Sequence, residues 1–300
     1  MKPLQRLTIL SALMLTAYSV HAVTLPPAVI ADPVRDQKNP PANKQLLIPS
    51  AGVGMNALMM KASGAGPKPT LVLLHGLPGN EQNLDLAQAI RRAGWNVLTM
   101  HYRGSWGSPG NFSIEGAIED AAAAMSFLQQ AESAAKYNVD PHRLYIGGHS
   151  MGGLAAALYV AKHPDAAGLV LLDAWNAGLD GKELAKHPEM MKEFVAAFDD
   201  LGNSLAGTDA EHLGEEIKRH SDEWNLINYA PALAAKPALV IGAAKGGGEP
   251  NKKLADAIRA QHKGKVTSLT MDTDHPFTDH RIALSAAVVS WLQHQPAAKP

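Results

Sequence analysis

Short runs of apolar residues alternate along this chain with longer stretches in which apolar positions recur every three or four residues. That rhythm predicts an α/β fold, a mostly parallel doubly wound sheet with helices on both faces. Strands are predicted over 70–74, 95–101, 143–147, 168–172, 238–241 and 266–271, and helices over 84–93, 114–134, 151–162, 250–262 and 278–292. An antiparallel hairpin is expected ahead of them, with strands over 45–48 and 55–61 around a glycine-rich turn at 51–54. The helix that begins at Met151 is expected to end at His163, because the residue before Pro164 is pushed out of the helical region.

The rhythm breaks over 177–230. That stretch holds no β-like run, and its periodicity predicts two amphipathic helices over 183–199 and 211–220. A structureless loop of that length inside a compact domain is uncommon. The reading is therefore one α/β core, over 45–176 and 231–295, interrupted by a helical insertion.

The first residues read as an address. Lys2 and Arg6 precede an apolar run over 7–20, shorter than the ~20 residues that span a bilayer. Val20-His21-Ala22 then offers small residues at the two positions a signal peptidase reads. A signal peptide over 1–22 is expected, followed by a flexible lead-in over 23–44 rich in Pro, Asn and Lys. With no Cys to carry a lipid, the expectation is a periplasmic or secreted protein with no stable membrane anchor after cleavage.

Composition narrows the chemistry. The 27 Lys+Arg against 28 Asp+Glu leave no basic surplus for nucleic acid or an anionic membrane. The absence of Cys excludes a disulfide scaffold, an iron–sulfur cluster and a cysteine nucleophile. The 13 His are scattered, with no H-E-x-x-H or similar spacing, so neither a metal nor another cofactor is expected. Gly246-Gly247-Gly248 lacks the spacing of a phosphate loop.

The sharpest signal is Gly148-His149-Ser150-Met151-Gly152-Gly153, placed between a predicted strand and a predicted helix. Such a turn lifts Ser150 to the carboxyl end of the sheet, at the positive end of the following helix. A serine hydroxyl is barely ionised at neutral pH, so it needs a base. His275, in Asp272-Thr273-Asp274-His275-Pro276-Phe277 after the last predicted strand, is the candidate, with His280 second. An oxyanion needs donors. The Met151 N–H at the helix start is one, and the Leu77 N–H in His75-Gly76-Leu77-Pro78-Gly79 is the second, with His75 bracing that loop.

These parts, in this order, resemble the α/β-hydrolase family over nearly all of the chain beyond residue 22. Tyr102-Arg103-Gly104 and Asn138-Val139-Asp140-Pro141-His142-Arg143 extend the resemblance toward prolyl-oligopeptidase-like and dienelactone-hydrolase-like members. The resemblance implies that 177–230 is a lid shaping the substrate pocket, to which His75, His149, Trp106 and Trp175 are assigned. It also implies an acid shortly after the strand at 238–241, where the chain instead reads Gly242-Ala243-Ala244-Lys245-Gly246-Gly247-Gly248-Glu249. Three sources stay open: Glu249 first, Asp173 after the strand at 168–172 second, or no acid at all. Asp272 and Asp274 rank lower, being too close in sequence to reach the far ring nitrogen of His275. The implied function is an exported serine hydrolase that cleaves a small ester, thioester or amide through an acyl-enzyme on Ser150. The alternative is a non-catalytic binding protein of the same fold that lacks a competent acid.

Overall fold

The computed structural model describes residues 25–198, 204–261 and 265–296; the segment read as a signal peptide, 1–22, lies outside the described residues. The first half of the chain runs through α1 (Pro27–Ile30), β1 (Ala42–Ser50), β2 (Val53–Lys61), β3 (Lys68–Leu74), α2 (Leu84–Arg92) and β4 (Asn96–Met100). It continues through α3 (Ile114–Gln129), α4 (Ala131–Tyr137), β5 (Val139–His149), α5 (Met151–Lys162) and β6 (Gly168–Leu172). Next come α6 (Ala177–Lys186), α7 (Met191–Ala197), α8 (Ala210–Arg219) and α9 (Ala230–Leu233). The chain closes with β7 (Ala238–Lys245), α10 (Gly248–Arg259), β8 (Val266–Asp274) and α11 (Arg281–Gln293).

The eight strands form one sheet in the order β1-β2-β4-β3-β5-β6-β7-β8. The β1–β2 and β2–β4 pairs are antiparallel, and every pair from β4 to β8 is parallel. Both faces of the central strands are apolar, so side-chain alternation feeds two cores. Val72, Leu74, Leu169, Leu171 and Val240 face one core with α3 and α5, while Leu71, Leu73, Val170, Leu172 and Ile241 face the other with α2 and α11. Helix α5 is buried from Met151 through Val160, which fits a helix that is apolar all round.

Several expected boundaries move for identifiable reasons. The Ala-rich stretch predicted as one helix over 114–134 breaks at Gln130, whose backbone is extended (ψ 131°); α4 restarts and turns Ala134 and Tyr137 into the core. The helix predicted over 183–199 is two, α6 and α7, because Pro188 cannot donate the bond that would continue α6. The lead-in read as flexible is partly tied down. Ala28 and Val29 of α1 pack against the core, and Arg92 Nε donates to the Ala28 carbonyl at 2.6 Å.

The strand order places the site. From β3 the chain steps outward to β4, then crosses back so that β5 lies on the other side of β3. The crevice between the carboxyl ends of β3 and β5 is thus a switch point, where open α/β sheets bind ligands. The helices α6 to α8 are inserted between β6 and β7, above the same end.

Candidate active site

Ser150 alone makes the turn between β5 and α5, with φ 55° and ψ −120°. A non-glycine residue there is strained by roughly 1–3 kcal/mol, and such strain persists only where neighbours enforce it. Here the Ser150 N–H donates to the Leu172 carbonyl at 3.1 Å, and the Ser150 carbonyl accepts from Gly153 and Trp175, each at 2.9 Å. Met151, as the first residue of α5, has an N–H with no intrahelical acceptor.

The loop after β3 lies against this turn because Leu74 is in register with Gly148. A Cβ on Gly76 would sit 2.9 Å from the Ser150 Cβ, so only glycine permits that approach. Tyr102 Oη fixes the loop by donating to the His75 carbonyl at 2.9 Å. Arg103 in turn fixes the Tyr-Arg-Gly stretch, with Nε 2.6 Å from Oδ1 of the buried Asp120. A cavity of about 420 Å³ opens beside the serine, walled by Leu77, Ser150, Trp175, Asp180, Phe198 and His275 among others.

Asp173 follows β6 directly, has φ 43°, and is fully buried. Its Oδ2 accepts from His275 Nδ1 at 2.5 Å and from the Gly247 N–H at 2.8 Å, while Oδ1 accepts from the Ala243 N–H at 2.8 Å. Asn251, 2% exposed on α10, braces this arrangement. Its Nδ2 donates to the Gly247 and Ala174 carbonyls, and its Oδ1 accepts from the Ala174 N–H at 3.1 Å. A Cβ on Gly246 would lie 2.5 Å from Asp173 Oδ2. The His275 side chain, 43% exposed, lines the cavity.

The chain has the α/β-hydrolase fold, and residues 69–215 match that family. Lipase 1 of Psychrobacter immobilis is 30% identical over 130 residues, which is 41% of this chain and 39% of that one. A hyperthermophilic esterase from the archaeon Pyrobaculum calidifontis superposes with a TM-score of 0.64 at 16% identity, covering 85% of this chain and 87% of its own. EstE1, a thermostable carboxylesterase from a metagenomic library, does so with a TM-score of 0.58 at 20% identity, covering 89% and 92%. The two structural likenesses bear on the fold. The curated relatives are matched over 39% to 44% of their length.

In this α/β-hydrolase chain the carboxylate at the histidine comes from β6, not from the loop after β7. Glu249, the first expectation, is therefore corrected. It stands on the first turn of α10, 67% exposed, facing Lys253 at 3.6 Å. The glycine-rich loop does not supply an acid. It folds around one, and two of its N–H groups hold Asp173. Asp272 pairs instead with Lys245, Asp274 accepts from the Thr278 N–H, and His280 pairs with Asp279.

Of the residues assigned to the pocket, Trp175 lines the cavity; His75, His149 and Trp106 do not. His149 is buried behind His275, donating from Nε2 to its carbonyl at 2.9 Å with ring centroids 4.4 Å apart. Burial, reinforced by repulsion from His275, pushes the His149 pKa down to about 4. His75 is also buried, and burial pushes it down to about 4 against the pull of the Gly76 carbonyl, to which Nδ1 donates at 2.7 Å. Trp106 donates from Nε1 to the Pro78 carbonyl at 2.7 Å, bracing the loop from outside. All three hold the walls in place from behind.

Two residues escaped the sequence reading. Asn251 falls in the buried stripe Asn251, Leu254, Ala255, Ile258 of α10, and a polar side chain in an apolar stripe was the available signal. Asp180 carries no such mark in sequence. It stands on the first turn of α6 and accepts from Trp175 Nε1 at 2.6 Å; burial raises its pKa, and that hydrogen bond opposes the rise. No group of three or more metal-ligating side chains occurs among the described residues.

Proposed function

We propose that this protein is a serine hydrolase acting on small carboxylic esters, with thioesters and amides as chemically related substrates. Ser150 attacks the carbonyl carbon as its proton passes to Nε2 of His275. Asp173 holds the ring through Nδ1 and stabilises the imidazolium. The Met151 and Leu77 N–H groups receive the oxyanion. His275 then protonates the leaving group, and a water activated by the same nitrogen releases the acyl group from Ser150.

The observation that carries this reading is the 2.5 Å contact between His275 Nδ1 and Asp173, a buried carboxylate, on the wall of the cavity that Ser150 also lines. The alternative of an inert binding protein rested on a missing acid, and Asp173 removes that premise. Ester substrates are favoured by the cavity of about 420 Å³, which suits a small ligand, and by relatives that carry the names lipase and esterase. The N-terminal apolar run supports an exported location, which N-terminal sequencing of the natively expressed protein tests: a start at Val23 supports it, and an intact Met1 sinks it.

Intact-mass analysis after treatment with a fluorophosphonate tests the chemistry. A single adduct is expected, lost in Ser150→Ala and His275→Ala. Asp173→Asn is expected to slow ester turnover by about 10³–10⁴-fold, while Glu249→Gln leaves it unchanged. An unlabelled wild type at high probe concentration would overturn the proposal.

A further inference from the structure

The cavity beside Ser150 has an uneven charge. Among the described residues, its ionisable lining is Asp173, Asp180 and His275, with no Lys or Arg. Asp173 is occupied by His275. Asp180 has no ion-pair partner among the described residues. The basic residues of its own helix are turned elsewhere, Lys182 toward Asp222 and Lys186 toward Glu183. The Asp180 carboxylate is nonetheless held in place, with Oδ2 accepting from Trp175 Nε1 at 2.6 Å. The rings of Trp175 and Phe198, 6.4 Å apart, flank the same wall. A fixed, unpaired carboxylate on the same wall as two aromatic rings attracts a cation through both charge and ring quadrupole. It also repels an anionic substrate.

We propose that Asp180, with Trp175 and Phe198, forms a subsite that selects esters carrying a positively charged ammonium group. The proposal rests on the serine-hydrolase reading for its substrate and extends it to specificity. Asp180 acts as a specificity-determining residue and takes no part in the bond changes at Ser150. A cationic substituent settles against its free oxygen while the ester carbonyl reaches the serine.

Two pairs of esters matched in shape test the charge on either side of the scissile bond. Acetylcholine is compared with 3,3-dimethylbutyl acetate. The p-nitrophenyl ester of 4-(trimethylammonio)butyrate is compared with that of 5,5-dimethylhexanoate. At slightly alkaline pH the cationic member of at least one pair is expected to show a kcat/KM at least about tenfold higher. In Asp180→Asn that preference is expected to fall to about one, whatever the change in the neutral ester's own rate. Equal rates within both pairs, or a preference that survives in Asp180→Asn, would overturn the proposal. Binding supplies a second arm, independent of turnover. Phenyltrimethylammonium is expected to quench the tryptophan fluorescence of Ser150→Ala saturably and that of Ser150→Ala/Asp180→Asn at least about tenfold more weakly. Fluorophosphonate labelling of Ser150 without any cation preference sinks the subsite and leaves the hydrolase standing. Cation binding without labelling does the reverse.

Discussion

Asp173 reaches His275 because of its own backbone and two neighbouring positions. It occupies a left-handed backbone conformation at the end of β6, Gly246 leaves the space for its carboxylate, and Asn251 ties the surrounding loop together. Adding one methyl group tests how narrow the fit is. In Gly246→Ala the new Cβ would stand 2.5 Å from Asp173 Oδ2, so either the carboxylate or the loop must shift. A displacement approaching 1 Å at a catalytic contact costs up to about 10²-fold in rate. Gly246→Ala is therefore expected to lower kcat by about one to two orders of magnitude while leaving KM close to the wild-type value. Circular dichroism checks that the fold is retained. An unchanged kcat would mean that the carboxylate tolerates the shift. The same geometry explains why the acid was the hardest part of the site to read in advance. Ser150, Leu77 and His275 are announced by local sequence, since each sits in a turn whose type depends on its neighbours. The identity of the acid depends on which carboxylate the third dimension brings to a ring 102 positions away, and local spacing carries no record of that.

At the scale of elements, the inserted helices are fastened to the core through a few polar contacts. Glu216 of α8 is buried, and its two oxygens accept from the Ile114 and Glu115 N–H groups at 3.0 and 2.8 Å, capping the start of α3. A carboxylate at a helix N-terminus satisfies orphan donors and complements the helix dipole. At the other side Asn176 accepts from the Leu226 N–H at 3.1 Å, joining the entry and exit of the insertion. Removing the first fastening in Glu216→Ala leaves two donors unsatisfied and is expected to cost about 2 kcal/mol. The loss should appear as a lower thermal midpoint and as faster proteolytic cleavage within the insertion. A variant as resistant as wild type would show that apolar packing alone holds the insertion. The strands and most helices were legible because apolar periodicity reports burial directly. The boundaries that moved, at Gln130 and at Pro188, lie where a helix ends to redirect its buried face. Such an ending is set by what the next segment must reach, and for Gln130 nothing in the neighbouring sequence marks it.

At the scale of the whole molecule, two buried histidines link the integrity of the site to pH. His75 under the loop after β3 and His149 behind His275 both have pKa values near 4 in the folded chain, against 6.5 for an ordinary histidine. The unfolded chain therefore binds more protons than the folded one between pH 6.5 and about 4, and stability falls as pH falls through that window. Each ring contributes ~3 kcal/mol when the window is fully crossed. Asp85 and Asp165 are held below 3.8 and cost stability only in stronger acid, while burial raises Asp120 and Asp180, which works in the opposite direction. Urea midpoints are accordingly expected to hold steady above pH 6.5 and to drop steadily below it. Gln in place of His149 cannot take up a proton in this range, so His149→Gln is expected to flatten about half of that slope, at the cost of a lower plateau. A slope that the substitution leaves intact would assign the acid sensitivity to other groups. The functional consequence follows from position. Protonating His149 places a buried charge 4.4 Å from the His275 ring, so acid acts directly on the wall that carries the proposed base.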